Sequence, residues 1–497
     1  MNQQKYNIGI IGVSVLFILL NAVLTAKGIF LLNALPALLL IFILLFFSLR
    51  QLFFLLVFLA PLSIPLYRLI PGLPFDFWFP TEPIILSLLV ILILKSLKER
   101  YFDSQLINHP VFWSILLYLG WIFICIVPSE MPLVSLKYLL VRVWFISVFF
   151  YLGYILFKLQ INYFKIFLWC FILGLLVVVT ISLIKHIGLG IFNEKAAHGA
   201  CAPFFIDHTS YGATIAIILP VLVSLIVISK KISRKIFLSG LTLFFTIALV
   251  FSYSRAAWLS VVVAIVVWLV WYLRIKFSLL IAGFIIVVSL LISFQLEIGQ
   301  WLSSNTTDSS GNLKEHLNSA LNVSTDASNL ERINRWSCAT RMFNERPFFG
   351  WGPGTYMFYY APFQRSYQKT IISTNFGNGG NAHSEYLGLL ADSGIIAMLG
   401  YILILIFVFY RGFTLSRKIE DRSIRILVIG VLLGIVTYAI HGFLNDFLDS
   451  DKIAAPFWGF IAFIVAMDVC YRKPKGSLEE FKAKDRDIIE KNNIVIP

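Results

Sequence analysis

Apolar runs of membrane-spanning length recur along almost the whole chain, and they restrict its fold more than any other feature. A helix needs about 20 apolar residues to cross a bilayer. Runs close to this length are residues 8–26, 29–49, 52–70, 82–97, 110–127, 137–157, 163–186, 209–229, 236–253, 256–273, 278–296, 385–410, 426–445 and 453–471. They predict an all-α polytopic membrane protein with about 12–14 transmembrane helices.

The low content of charged residues agrees with a membrane protein. Charged residues make up 13% of the chain, whereas soluble domains have about 25%. The formal net charge is +14, but the basic residues cluster in short loops between apolar runs, which is typical of cytoplasmic loops. We therefore expect membrane lipids, and no nucleic acid, among the partners. The five cysteines are scattered without metal or redox spacing, which favours packing roles.

The positions of lysine and arginine predict an orientation. With the N-terminus in the cytoplasm, the basic loops at 95–100, 230–235 and 411–425 all lie inside. Both termini are then cytoplasmic. The chain divides into a transmembrane bundle (1–296), one large outer loop (297–383), further transmembrane helices (384–471) and a cytoplasmic tail (472–497).

The outer loop has two predicted parts. Residues 302–330 are rich in Ser, Asn, Thr and Asp, which indicates a flexible cover. In the second part, Arg332 and Trp336 are one helical turn apart and share a face, which predicts a short amphipathic helix. Residues 347–354 then read Pro-Phe-Phe-Gly-Trp-Gly-Pro-Gly, a turn with aromatic neighbours. If the protein is an enzyme, we expect its chemistry here.

Arginines on the outer side are the first candidate site residues. Arg255 lies between two spans and departs from the positive-inside pattern, and an arginine at that depth is costly. Its planar guanidinium suits a phosphate or pyrophosphate. The alternative is an interfacial arginine whose charged end reaches water. Arg332, Arg335 and Arg341 could form a second phosphate clamp, or a solvated cationic face that contacts lipid headgroups.

His383 is the candidate for proton transfer. It lies where the outer loop enters the next span. A histidine can take or give a proton near neutral pH, so at this junction it could serve an aqueous acceptor and a lipid-borne substrate together. The alternative is a residue that only caps the helix with Asn381 and Ser384.

Weaker candidates lie at two helix junctions on the outer side. Ser254 directly precedes Arg255, so it is a candidate substrate contact. His208 and Tyr211 lie at the start of the predicted span 209–229 and are also candidate substrate contacts. The alternative is an ordinary helix cap, because an Asp such as Asp207 ahead of hydroxyl residues is typical of a helix start.

Two further groups of polar residues need an explanation. Arg142 lies inside an apolar span and Lys137 lies near its outer end, so the pair could line a polar cavity that reaches down from the outer face. Asp446, Asp449 and Asp451 form an outer acidic loop. They lack a recognisable metal-ligand pattern, so a solvated loop is favoured over a metal site.

The chain has neither a Walker phosphate-binding loop nor a Rossmann glycine fingerprint. An enzyme that faces outward would therefore take its driving force from an activated substrate. A lipid-linked pyrophosphate would supply it.

Four motifs together resemble those of the O-antigen ligase and O-antigen polymerase superfamily of bacterial inner-membrane glycan transferases. They are Ser254-Arg255-Ala256-Ala257-Trp258, Arg332-x3-Trp336, the turn at 347–354 and His383-Ser384-x9-Gly394. The segment 203–208 is also similar, although Asn is commoner in the family where His208 stands. The resemblance covers about residues 200–410, and the first 190 residues match only as hydrophobic helices.

The resemblance implies a donor glycan on undecaprenyl pyrophosphate and a hydroxyl acceptor. The acceptor is a lipid A core sugar for a ligase, or a lipid-linked repeat for a polymerase. It further implies that Arg255 and Arg332 bind the pyrophosphate, that His383 activates the acceptor, and that neither metal nor nucleotide is needed. The outer loop would be periplasmic, and a chain-length regulator is a candidate additional partner.

The sequence leaves alternative functions open. Ligase and polymerase share fold, donor and motifs, so the sequence does not separate them. A flippase or transporter for lipid-linked glycans is a different class, although the chain shows no repeat symmetry. A non-catalytic subunit of a polysaccharide assembly system is the third reading.

Overall fold

The computed structural model describes residues 49–68, 77–99, 103–275, 327–366 and 380–471, together with the single residues 17 and 373. Helices dominate these ranges. They are α1 (Leu49–Leu59), α2 (Thr81–Glu99), α3 (Ser104–Ile107), α4 (Pro110–Cys125), α5 (Pro132–Phe145), α6 (Gly153–Leu159), α7 (Ile161–Leu189), α8 (Glu194–Ala200), α9 (His208–Ile228), α10 (Ile232–Val250), α11 (Arg255–Tyr272), α12 (Ala327–Glu345), α13 (Tyr356–Tyr359), α14 (Glu385–Lys418), α15 (Arg422–His441) and α16 (Asp451–Tyr471).

Shorter elements connect some of these helices. A π-helical turn at Ile146–Leu152 joins α5 to α6, so Pro132–Leu159 is one long helix. Two-residue strands β1 (Ile64–Pro65) and β2 (Trp78–Phe79) pair in antiparallel fashion. The remaining elements are 3-10 turns at Ala60–Leu62, Leu66–Arg68 and Ala361–Phe363.

Eight helices in the described ranges are long and apolar enough to cross a membrane. They are Pro132–Leu159, Ile161–Leu189, His208–Ile228, Ile232–Val250, Arg255–Tyr272, Glu385–Lys418, Arg422–His441 and Asp451–Tyr471. The all-α polytopic membrane fold is therefore confirmed. Several predicted segments lie outside the described residues: the span at 278–296 and the tail 472–497 completely, and most of the spans at 8–26 and 29–49 and of the predicted cover at 302–330.

The span predicted at 52–70 differs from the observed helix. The apolar helical segment runs from Leu49 to Leu62 and is followed by strand β1, which pairs with β2. Pro61 and Pro65 explain the early end, because proline lacks the N–H that a continuing helix needs.

Helices from before and after the outer loop pack into one hydrophobic core. Helix α16 lies at its centre and is buried over nearly its whole length. Helices α9 and α15 pack against each other with glycines at the contact. A Cβ on Gly434 would lie 2.5 Å from the carbonyl oxygen of Ile217. Small residues at such contacts let membrane helices approach closely.

Helix α14 is interrupted where the Gly/Pro turn of the outer loop meets it. Gly394 has a φ of 73° and breaks the helix. The turn supplies hydrogen bonds at the break: Trp351 N–H donates to Ala391 O (3.1 Å), and Ile395 N–H donates to Pro347 O (2.9 Å). The break is tolerated in a membrane helix because the loop satisfies the backbone groups that it exposes.

Candidate active site

Four segments far apart in the chain meet at one end of the bundle. His208 Nδ1, at the start of α9, donates to Ser252 O (2.7 Å) in the turn before α11. Glu385 N–H, at the start of α14, donates to Gly442 O (2.8 Å) after the end of α15. Because α11 also packs along α15, the starts of α9, α11 and α14 lie together. The N-terminus of a helix carries partial positive charge, so this end favours anions.

Side-chain caps define where these three helices begin. Asp207 accepts from Ser210 N–H (2.7 Å) at the start of α9. Ser254 accepts from Ala257 N–H (3.4 Å) at the start of α11, and Ser384 accepts from Leu387 N–H (3.3 Å) at the start of α14. Ser384, rather than His383, is thus the helix cap.

Arg255 is the first residue of α11 and is half-buried. The turn before it is supported by α9, since a Cβ on Gly212 would lie 2.8 Å from the Cβ of Ser254. The bond from His208 to Ser252 fixes the same turn. His208 and Ser254 therefore position Arg255. Tyr211 is buried against Phe205, and its hydroxyl makes no hydrogen bond in the part of the chain that the structure describes.

Helix α12 brings two of the predicted arginines toward His383. Arg332 and Arg335 both act electrostatically on the His383 imidazole. Arg335 is buried, donates from Nε to Glu331 (2.6 Å) and lies over the ring of Tyr360.

Arg341, further along the same helix, is directed elsewhere. Its Nε donates to Phe363 O (2.7 Å), so it holds the end of the loop. Arg332 and Arg335 both act on His383, and His441 interacts with Arg332 and with the backbone of Ala256, the residue after Arg255. On this basis we call Arg255, Arg332 and Arg335 the arginine cluster.

His383 is held by two hydrogen bonds to its backbone. Its N–H donates to Asn381 Oδ1 (3.1 Å), and its carbonyl accepts from Trp336 Nε1 (3.3 Å). Its φ of 48° is unusual for a residue with a side chain. Burial, together with the positive charges of Arg332 and Arg335, lowers the pKa of His383 to about 4. The imidazole is therefore neutral at neutral pH and can accept a proton.

His441 was missed by the sequence reasoning. It is the last residue of α15, is buried, and interacts electrostatically with Arg332 and Asp207. It also lies against the backbone of Ala256. His441 thus connects the start of α11, where Arg255 lies, with Arg332. A histidine at the outer end of a predicted span was a signal that could have found it.

The predicted pairing of Arg142 with Lys137 is not what the structure shows. Arg142 is buried and lies 3.7 Å from Glu385, and it donates to the Tyr138 hydroxyl (3.0 Å). Lys137 is exposed. The two residues are five positions apart, which places them on different faces of α5.

The three aspartates of the predicted acidic loop do not stay together in the structure. Asp451 is the first residue of α16, is buried, and accepts hydrogen bonds from Ser63 (2.7 Å) and Thr81. Asp446 and Asp449 stay in the turn between α15 and α16. Among the described residues, no three His, Cys, Asp or Glu side chains are grouped so that they could hold a metal ion.

The fold and this site define a class: an integral membrane protein in which an arginine cluster lies beside a neutral histidine at one end of the helix bundle. Residues 240–402 match the family model described as O-antigen ligase. The match confirms the relation to the O-antigen ligase and O-antigen polymerase superfamily, and it spans Arg255, α12, the Gly/Pro turn and His383 to Gly394. It indicates glycan transfer of the O-antigen ligase type. No curated protein is significantly similar to the chain.

Proposed function

We propose that the protein transfers a glycan from undecaprenyl pyrophosphate to a sugar hydroxyl at the periplasmic face of the bacterial inner membrane, with both termini in the cytoplasm. One observation carries the proposal: Arg332 and Arg335 act on a neutral His383, within the region that matches the O-antigen ligase family. An anion site next to a proton acceptor is what this transfer requires.

The arginine cluster would hold the pyrophosphate of the donor. Negative charge grows on the leaving oxygen as its bond to the sugar breaks, so guanidinium groups stabilise the transition state more than the ground state. The starts of α9, α11 and α14 add partial positive charge at the same end. This arrangement supports a phosphate-bearing substrate rather than a neutral one on this side of His383.

His383 would act on the acceptor. The acceptor oxygen attacks the anomeric carbon, the bond from that carbon to the pyrophosphate oxygen breaks, and undecaprenyl pyrophosphate leaves with the electron pair. The hydroxyl proton passes to the imidazole of His383. Direct attack inverts the configuration at the anomeric carbon. General base catalysis of this kind contributes about 10²–10⁴-fold to the rate.

Purified protein with a polyprenyl-pyrophosphate-linked glycan and an acceptor sugar tests the site. We expect Arg255→Ala and Arg332→Ala each to lower turnover by about 10²–10³-fold, as for other groups that stabilise developing charge. We expect His383→Ala to lower it by about 10²–10⁴-fold. Lys195→Ala, which removes an exposed cation from α8, is the matched control. Normal turnover in all three site variants would refute the proposed mechanism.

Deletion of the gene identifies the acceptor class. Lipopolysaccharide core without polymer, together with accumulated lipid-linked polymer, would indicate a ligase. Core that carries single repeats would indicate a polymerase. An unchanged lipopolysaccharide pattern would point to a different envelope glycan.

A further inference from the structure

The end of the helix bundle opposite to the candidate active site carries a group of exposed cations. Helix α9 begins at that site and ends at Ile228, so the segment that follows it lies at the opposite end. This segment and the first turn of α10 contain Lys230, Lys231, Arg234 and Lys235, which are all exposed. None of these four side chains forms an ion pair with a described residue.

The sequence around these cations supplies no acidic partner. Residues 208–296 contain neither aspartate nor glutamate. Helix α10 has no acidic residue in its first turn, and its start has no side-chain cap. The cations therefore lie at the positive end of a helix, where negative charge is favourable. This distribution of charge favours an anion that comes from outside the chain.

Helix α7 runs beside α10 in the same direction. Near the starts of the two helices, the rings of Trp169 and Phe237 are stacked with their centroids 6.4 Å apart. Near their ends, the ring of His186 lies 6.0 Å from the ring of Tyr253, in the turn after α10. Similar lengths of chain separate the two contacts on each helix. The helices are therefore parallel and in register.

This register places Lys165 and Arg234 at the same level. Lys165 precedes Trp169 by four residues and Arg234 precedes Phe237 by three, so each cation shares a helix face with its ring. Lys165 is exposed and, like Arg234, forms no ion pair with a described residue. Two cations on neighbouring helices thus lie one turn outside an aromatic pair.

The surface on the other side of the aromatic pair is apolar. Leu173 and Val177 on α7 are exposed, and so are Leu243 and Ile247 on α10. Both helices are long and apolar enough to cross a membrane. Apolar side chains exposed on such helices suit the acyl chains of a bilayer, and aromatic rings between cations and an apolar stripe are typical of the headgroup level.

The three features match different parts of one kind of ligand. Lysine and arginine bind phosphate oxygens, the rings suit the headgroup level, and the apolar surface suits acyl chains. A free phosphate ion would use the cations alone. A zwitterionic phospholipid would bring its own ammonium group next to them. A phospholipid with net negative charge satisfies all three features.

We propose that the surface where α7 meets α10, at the end of the bundle opposite to the candidate active site, binds an anionic phospholipid. The phosphate lies between Lys165 and Arg234, and the acyl chains follow the apolar surface beyond Trp169 and Phe237. The cations at 230–235 add attraction at longer range. This lipid site is separate from the candidate active site and goes beyond the proposed function.

Native mass spectrometry of the purified full-length protein in detergent tests the lipid site. The probes are phosphatidylglycerol and phosphatidylcholine with identical acyl chains. We expect the wild type to bind phosphatidylglycerol more tightly, and Lys165→Gln combined with Arg234→Gln to raise its Kd by about tenfold or more, because two cations near the membrane surface are lost. Arg417→Gln combined with Lys418→Gln removes two exposed cations from the same end of the bundle and is the matched control, with an unchanged Kd.

The same Kd for phosphatidylglycerol in the Lys165/Arg234 variant and the wild type would overturn the lipid site. An equal loss of binding in the control variant, or equal affinity for phosphatidylcholine, would also overturn it. Inorganic phosphate that raises the unfolding temperature as much as phosphatidylglycerol would show an anion site without a lipid. Lys165→Arg combined with Arg234→Lys keeps both charges and is expected to retain binding. Thermal unfolding in phosphatidylcholine confirms that each variant is folded.

Discussion

At the scale of single residues, His383 combines a constrained backbone with an uncharged ring. Its left-handed conformation persists because Asn381 and Trp336 hold its N–H and carbonyl from opposite sides. Such conformations cost energy and are concentrated at functional sites. Residue type and position in the sequence make His383 a candidate, and its role stays a prediction. The bond from Trp336 was not foreseeable, because it joins the loop helix to a residue 47 positions later.

The low pKa of His383 predicts an unusual pH dependence. In the proposed mechanism the neutral imidazole is the active form, so activity is expected to fall as pH falls through the pKa of His383. We expect kcat/KM for the donor, which reports the free enzyme, to stay level from pH 8 to about 5 and to be halved near pH 4. Transfer rates measured from pH 4 to 9, with donor integrity checked at each pH, provide the test. Half-loss near pH 6.5 would show an ordinary histidine.

Donor binding should change that pH dependence. The arginines lower the pKa of His383, and the negative charge of a bound pyrophosphate offsets them. The profile of kcat, which reports the donor-bound state, is therefore expected to have its midpoint at higher pH than the profile of kcat/KM. A lower midpoint for kcat would contradict placement of the pyrophosphate beside these arginines.

At the scale of elements, the Gly/Pro turn of the outer loop packs into the break of helix α14 and hydrogen-bonds to it. The Gly/Pro turn occupies the break at Gly394, and Gly354 N–H donates to the Asp392 carboxylate (3.0 Å) just before the break. The two glycine-bearing motifs noticed in the sequence are therefore one structural unit. Their association could not be read from spacing, because the turn precedes the break by about 40 residues and joins it only in three dimensions.

Substitution of Gly394 tests this unit. A Cβ at Gly394 would lie 2.0 Å from Phe348 O, and its φ of 73° with ψ of −174° suits only glycine. We expect Gly394→Ala to destabilise the protein by at least about 1–3 kcal/mol and to lower transfer activity. Thermal unfolding in detergent measures the first effect. Gly120→Ala in α4 is the control, because nothing lies within 4 Å of its added Cβ. Equal stability of both variants would contradict the inserted turn.

At the scale of the whole molecule, the chain segments on either side of the outer loop form one bundle. Helix α16 fills its centre, and α9 packs along α15. The predicted regions 1–296 and 384–471 describe the order of the chain, whereas packing joins their helices in a common core. This places the start of α11 next to the end of α15, where His441 lies against the backbone of Ala256, the residue after Arg255.

The contact between α9 and α15 predicts a stability effect away from the site. A Cβ on Gly434 would lie 2.5 Å from Ile217 O and 2.9 Å from the Phe460 ring. We expect Gly434→Ala to destabilise the bundle by about 1–3 kcal/mol through overpacking. Gly240→Ala in α10 is the control, since its added Cβ meets open space. Unchanged thermal unfolding of Gly434→Ala would contradict the close approach of these helices.

The sequence by itself determined the class of fold and the residue types of the candidate site. Apolar length and residue type are local properties, so membrane helices and the candidate arginines and histidine between them can be recognised in short windows. The orientation of the helices stays a prediction from loop charge. The tertiary structure alone decided which of these residues meet. In the folded chain, Arg341 donates to the loop, Arg142 is buried while Lys137 is exposed, and Asp451 is buried in the core. His441 joins the candidate site through its interaction with Arg332. These outcomes depend on how helices distant in sequence pack against one another, which no local pattern encodes.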